Sequence, residues 1–371
     1  MNKSDAGLRS PIVNKDNSVT LNLKSENAKN VEVTSELVFK TTRATPNLEG
    51  VLGGHIPMKK TSKNVWTITS IPMLPGRYAY SFWVDDLMTL DPLNPLIRRV
   101  NSLTPFGGSI NRVDVPAEEP MPWEFSSDIA HGEIILDKFD SRTFEQVKGC
   151  SVYLPPGYKP TKRYPILYLL HGARADSLTW IFSVYADNIM DNLISEKKSK
   201  EMIVVMPDGH KGIVGTLIDI APFLKAHNSE ETSRKILEEH TNYFINDVVP
   251  FVESRYSVLK EARAIAGLSM GGGQTFNIIV THPDMFSAVG MFSSGMIDDR
   301  LLTRLSKVKN QIKQFKLIYV SCGKRDPLLK QSETIKGKLE ELKIKYVYYT
   351  ADTGHVNNFW SRSLADFVHR L

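Results

Sequence analysis

Long apolar runs are missing from this sequence. No stretch approaches the roughly 20 consecutive apolar residues that a membrane-spanning helix needs, so no membrane partner is expected. The first residues, Met1-Asn2-Lys3-Ser4-Asp5, lack the apolar core of a secretory signal. The expectation is therefore a cytoplasmic chain, or a secreted or periplasmic one whose leader has been removed. Cysteine is almost absent, with only Cys150 and Cys322 among 371 residues. Two cysteines make no disulfide framework, and both lie on or beside apolar runs, where free buried thiols are common. Charge of one sign is scarce as well. The net charge is +5 and the basic residues are dispersed, with no basic stripe interleaved with aromatics, which argues against a nucleic-acid partner. No group has metal-ligand spacing: His210 and His227 stand without nearby partners, so no metal is expected.

What is present is ordinary globular material, 42% hydrophobic and 23% charged, in a chain long enough for two domains. Residues 1–17 are polar and expected to be poorly ordered. Over 18–115 short alternating runs recur, and Tyr78, Tyr80, Phe82 and Val84 fall on one face of the clearest of them. Pro75-Gly76 and Asp85-Asp86 supply the flanking turns. About a hundred residues of this kind make a β-sandwich. Residues 116–130, rich in Pro and Glu, read as a linker.

From 131 to 371 the pattern changes. Strand-like segments begin near residues 132–136 and 146–154. Continuous apolar runs follow at 164–170, 202–206, 262–266, 288–292, 315–320 and 345–349, the mark of strands buried on both faces. Helix-length segments at 183–196, 233–254, 329–343 and 359–370 separate them, so a parallel sheet with right-handed crossovers is expected.

One pentapeptide organises this half: Gly267-Leu268-Ser269-Met270-Gly271. A strand, a sharp turn at a serine and then a helix is the nucleophile elbow of an α/β-hydrolase fold. The turn strains the serine backbone, and Gly267 and Gly271 stand where a Cβ would collide with neighbouring chain. Two further segments fall in the chain order this chemistry needs. Asp326, after the run 315–320, is the candidate acid, although an Asp before Pro327 also suits a helix cap. His355, in Thr353-Gly354-His355, is the candidate base that takes the Ser269 proton. Asp352 is a rival acid. The loop His171-Gly172-Ala173 ends the strand 164–170, so backbone N–H groups of Ala173 (or Gly172) and Met270 are the candidate oxyanion hole. His171 is expected to brace that loop and not to act as the base. Serine chemistry of this type needs no cofactor.

These residues carry a resemblance. Tyr153-Leu154-Pro155-Pro156-Gly157-Tyr158, the segment Tyr164 to Gly172, Trp180, Met206-Pro207-Asp208-Gly209, the segment Asp247 to Glu253, the segment Gly267 to Gln274, and Gly354-His355-Val356 are similar to the esterase family that includes bacterial feruloyl esterases, acetyl xylan esterases, enterochelin esterases and esterase D. The segment with Trp66, Pro75 to Tyr80, Val84-Asp85 and Asp91 to Pro95 resembles the early-set, immunoglobulin-like module that precedes many bacterial esterases. Some such modules bind glucan; here the aromatics are expected to fill the sandwich core instead. Together the matches resemble carbohydrate esterase family 1 most closely. The resemblance implies an acyl-sugar or polysaccharide ester substrate, with a feruloyl group favoured and acetyl xylan or siderophore esters as alternatives. A non-catalytic carbohydrate-binding protein on a decayed hydrolase fold is the alternative of another class. The resemblance further implies that Gly172, Trp180, Asp208 and Trp360 meet the substrate, with Phe182 and Phe359 as further flat rings near the catalytic loops. Two departures from the family pattern bear on the pocket mouth: Thr353 stands where glycine is usual, and Arg174 adds a positive charge after His171-Gly172. Residues 207–232 are expected to form a lid-like loop.

Overall fold

A computed structural model describes residues 7–40, 55–61, 64–100, 108–173, 175–211 and 230–371. Arg174 and most of the expected lid lie outside the described residues, as does the start of the expected disordered segment. Two compact units divide the chain, the first of Met1–Val100, Phe106–Met121 and Val356–Asn358, the second of Asn101–Pro105, Pro122–His355 and Phe359–Leu371.

Up to Met121 the described residues of the first unit are all β. Its strands are β1 (Ile12–Val13), β2 (Val19–Lys24), β3 (Val31–Ser35), β4 (Ile56–Pro57), β5 (Lys59–Lys60), β6 (Val65–Thr69), β7 (Gly76–Val84), β8 (Leu87–Thr89), β9 (Ile97–Val100) and β10 (Gly108–Val115). They form one sheet in the order β1-β2-β6-β5 and another in the order β4-β3-β7-β10-β9, with β8 on β7. Both sheets contribute to one core. Leu21 and Trp66 come from the first, Val33, Tyr78, Tyr80, Phe82 and Val113 from the second, and Val84 packs against them. The period-2 pattern of β7 thus puts the expected residues inward, and its aromatics are core. Order begins earlier than residue 18: Ile12 and Val13 pair with Thr20 and Val19, and the Ser10 hydroxyl donates to Asp91 at 2.6 Å and accepts the Asn22 N–H at 3.0 Å.

The second unit is a single mixed sheet of β11 (Glu133–Ser141), β12 (Gln146–Leu154), β13 (Tyr164–Leu170), β14 (Ile203–Pro207), β15 (Val258–Leu268), β16 (Ala288–Phe292), β17 (Leu317–Ser321) and β18 (Val347–Tyr349). Their order is β11-β12-β14-β13-β15-β16-β17-β18. From β14 to β18 every pairing is parallel. The first two strands run antiparallel to their neighbours. Ser141 pairs directly with Gln146, and so short a connection can only close a hairpin; a parallel crossover needs a dozen or more residues. The segment read as a linker is only partly one. Trp123 is buried, and the side-chain amides of Asn188 and Asn192 donate to the carbonyls of Trp123, Pro122 and Glu124.

The helices lie close to expectation, with two differences. The long helix is Glu230–Tyr243 followed by Val249–Arg255, joined by a π-turn over Phe244–Val248. A further helix, Asp299–Lys307, was not expected. Its start is set by Asp298, whose carboxylate accepts the Leu301 N–H at 2.8 Å. Strands β13, β16 and β17 are buried almost throughout, which is why their sequences are unbroken apolar runs. Cys150 and Cys322 are both free and buried. Among the described residues no helix is long and apolar enough to cross a membrane.

Candidate active site

Strand β15 delivers Ser269. The residue sits at φ 55 and ψ −118, a region that L side chains rarely enter, and the helix Met270–Thr281 begins directly after it. Two close approaches force the shape. A Cβ on Gly267 would stand 2.2 Å from the Gly271 carbonyl oxygen, and one on Gly271 would stand 2.3 Å from that of Leu170. Only glycine fits either position. The Ser269 N–H donates to the Phe292 carbonyl at 2.9 Å, tying the elbow to the end of β16.

Three expected side chains meet here. His355 Nε2 lies 3.0 Å from Ser269 Oγ, and His355 Nδ1 lies 2.8 Å from Asp326 Oδ2. A carboxylate only accepts, so Nδ1 carries the hydrogen and Nε2 presents a lone pair to the serine hydroxyl. Asp326 also does what a cap does: its Oδ1 accepts the Leu328 N–H at 2.8 Å. Burial pushes its carboxyl up, but the His355 charge and hydrogen bond, the Leu328 N–H and the Ser293 hydroxyl together hold it below the ordinary carboxylate value. The carboxylate therefore stays charged beside the ring. Such a line can remove a proton from the serine as it attacks and can stabilise the imidazolium that forms.

The rival acid is engaged elsewhere. Asp352 makes a two-pronged pair with Arg325, at 2.7 and 2.9 Å, on the surface. Backbone bonds lace the same two loops together, Arg325 N–H to the Thr353 carbonyl and Lys324 N–H to that of Ala351. Thr353, where the family pattern has glycine, is buried and lends its carbonyl to this lacing. Because exposed pairs contribute little and the backbone already joins the loops, Asp352→Asn is expected to keep kcat within about threefold of wild type. A steady-state ester assay that found it crippled would move the acid role away from Asp326.

Of the residues expected to meet substrate, Gly172 lies beside the serine: a Cβ on it would stand 3.2 Å from that of Ser269. The two tryptophans are corrected. Trp180 is wholly buried, edge-on to Phe292, and is core. Trp360 is also buried; its ring meets His355 edge-on at 4.8 Å and its Nε1–H donates to Ser293 Oγ at 3.1 Å. Asp208 pairs with Lys148 at 2.9 Å. Phe359 stacks on Tyr349 within the core, whereas Phe182 is half exposed. His171 is a brace, as expected: Nδ1 lies 2.8 Å from the Gly172 carbonyl and Nε2 accepts the Gly209 N–H at 3.0 Å. Met270 follows the serine directly in the chain, and Gly172 lies beside it in space. No group of three or more potential ligands able to hold a metal occurs among the described residues.

Ser293 went unnoticed in the sequence. It follows β16, adopts φ 47, and supports both Trp360 and Asp326. A polar residue at the carboxyl end of a buried parallel strand is the signal that would have found it.

Residues 141–370 match a family model described as "Putative esterase". An endo-1,4-beta-xylanase/feruloyl esterase of Xylanibacter ruminicola is 28% identical over 347 residues, covering 91% of this chain and 42% of the relative. The chain thus spans about two fifths of the length of that relative. Among solved structures, the enterobactin esterase of Shigella flexneri aligns with a TM-score of 0.68 at 14% identity, over 100% of this chain and 98% of that one. A carbohydrate esterase family 1 ferulic acid esterase of Anaeromyces mucronatus, solved with ferulic acid, aligns with a TM-score of 0.54 at 22% identity, over 66% of this chain and 93% of that one. At these identities the two structural matches speak for the fold.

Proposed function

We propose, from the premise that this chain belongs to the esterase family, that it is a carboxylic ester hydrolase working through Ser269, His355 and Asp326. The observation that carries the reading is the unbroken line from Ser269 Oγ through His355 to Asp326, at 3.0 and 2.8 Å. In the first step Ser269 Oγ bonds to the acyl carbon while its proton passes to His355 Nε2. The carbonyl oxygen takes the negative charge, and the N–H groups of Ala173 and Met270 are the donors assigned to it. The C–O bond to the leaving alcohol then breaks, and His355 returns the proton to that alcohol. Water repeats the sequence on the acyl-serine and releases the acid. Asp326 remains an anion throughout and balances the imidazolium.

For the acyl group we favour feruloyl on a cell-wall sugar. The support is the Xylanibacter ruminicola relative, a xylanase/feruloyl esterase that resembles 91% of this chain. The rings beside the catalytic loops lend this reading little, since Trp180 and Phe359 are core and Trp360 backs the histidine. A siderophore ester is the second reading, favoured by a fold match that runs over the whole chain, both units included. A panel of methyl ferulate, methyl p-coumarate, p-nitrophenyl acetate, acetylated xylan and a catecholate siderophore ester separates them. Methyl ferulate should be cleaved with a kcat/KM at least comparable to that for the acetate. Inactivity on both hydroxycinnamates, beside strong cleavage of the siderophore or the xylan, would overturn the feruloyl reading and leave the serine esterase standing.

A further inference from the structure

We propose that Lys148 is a positioning residue for this hydrolysis: paired with Asp208, it keeps His171 neutral, and neutral His171 fixes the peptide that presents the Ala173 N–H. The inference rests on the functional reading above, in which Ala173 donates to the developing oxyanion.

His171 is almost completely buried. Its Nδ1 faces a carbonyl oxygen, which only accepts, and its Nε2 faces the Gly209 N–H, which only donates. These two partners admit one form of the ring, the neutral imidazole with its hydrogen on Nδ1. The Gly172 carbonyl that Nδ1 holds belongs to the same peptide plane as the Ala173 N–H. In a planar trans peptide the two groups point in opposite directions, so holding the carbonyl aims the N–H.

Asp208 endangers this arrangement. Its Oδ1 lies 3.7 Å from His171 Nε2, and an uncompensated carboxylate at that distance in a buried site draws a proton onto the ring. An Nε2–H would then meet the Gly209 N–H, donor against donor. Lys148 removes the threat. Its side chain is 3% exposed, its Nζ lies 2.9 Å from Asp208 Oδ2, and it also donates to the His210 carbonyl. With its ammonium against Oδ2, Lys148 balances the Asp208 charge from the side away from the ring. Among the described residues, three other titratable groups face His171. His210 and His240 are held down to about 3, chiefly by burial, and so are uncharged. Asp176 has its carboxyl pushed up by burial and engaged by the Leu178 N–H. The charge beside Nε2 is thus set by the Lys148–Asp208 pair. A lysine on β12, remote from the reacting atoms, decides the protonation of the ring that orients the oxyanion loop.

The test compares wild type, K148M and K148M/D208N in p-nitrophenyl acetate hydrolysis from about pH 5 to 9. Circular dichroism checks each fold, and a fluorophosphonate titrates the reactive serine. K148M is expected to lose kcat by about tenfold or more with KM little changed, and its acid limb should move to higher pH as His171 takes up a proton. K148M/D208N removes both charges and should regain most of the kcat and the wild-type limb. Wild-type kinetics in K148M, or a folded double variant no better than the single one, would overturn the proposal. Should K148M fail to fold, long-range 1H–15N NMR of the histidine-labelled wild type decides instead, with the His171 signals assigned by their loss in H171N. The Nδ1–H tautomer is expected at about pH 8; an imidazolium or an Nε2–H tautomer there sinks the idea. A wild type that neither hydrolyses esters nor reacts with the fluorophosphonate counts against the functional reading, and the tautomer still decides the charge arrangement.

Discussion

Ser269→Ala is expected to lower kcat for p-nitrophenyl acetate by about 10⁴-fold or more while the protein stays folded. The hydroxyl is the only atom lost. Alanine carries the same Cβ into the strained backbone at φ 55, so the elbow is neither relieved nor further burdened. His355→Ala should cost about as much, and the double variant hardly more than either single one, because nucleophile and base act as a unit. Asp326→Asn should cost somewhat less: the ring keeps a hydrogen-bonding neighbour but loses the charge that stabilises its protonated form. Steady-state kinetics with a fluorophosphonate titration of active sites checks all four. A Ser269→Ala protein that keeps more than about a tenth of wild-type turnover would remove this serine from the mechanism.

The second unit is expected to lose stability steeply as pH falls below about 6.5, the value at which histidines of the unfolded chain take up protons. His210 and His240 are buried, and burial holds both down to about 3 in the folded protein. Between those values the unfolded state binds protons that the folded state refuses. The stabilisation is therefore complete above the unfolded pKa and drains away as pH drops toward the folded one. Each such group contributes roughly 1.4 kcal/mol per pH unit, so the pair loses about 5.5 kcal/mol over two units, a large share of a typical domain's stability. Asp208 and Asp326, both held below the ordinary carboxylate value, extend the loss in the same direction at still lower pH. Urea unfolding at pH 7, 6, 5.5 and 4.5 measures the slope, and His240→Phe, which replaces the ring among Tyr243 and Phe244, should remove about half of it. A free energy of unfolding flat across that range would contradict the burial of these two rings.

The line of Ser269, His355 and Asp326 was legible because its signals are local. Each residue follows a strand-like run, and the glycines at 267 and 271 mark a turn that no other residue fits. The choice between Asp326 and Asp352 was not local. It turns on Arg325, whose side chain reaches over to Asp352 and leaves the neighbouring Asp326 for the histidine. Aromatic residues misled for a related reason: Trp180 and Phe359 adjoin catalytic loops in sequence, but adjacency along the chain says nothing about which way a ring faces. Lys148 was invisible, since in a strand of alternating character it passes for a solvent-facing cation until Asp208 and the His210 carbonyl are seen against it. The hairpin at β11 and β12 was missed as an exception to the parallel sheet because strand runs carry their burial in sequence but not their direction.

The left-handed backbone at Ser269 sets folding and chemistry against one another at a single codon. Glycine would occupy that conformation freely, whereas a side chain there costs on the order of 1–3 kcal/mol. A gene copy freed from the need to turn over ester would gain stability from a change to glycine and lose nothing it still required. Decay of this fold into a binding protein would begin where the backbone is strained, well before any surface or core position had reason to change. A serine standing at φ 55 is thus a residue on which such drift would act early.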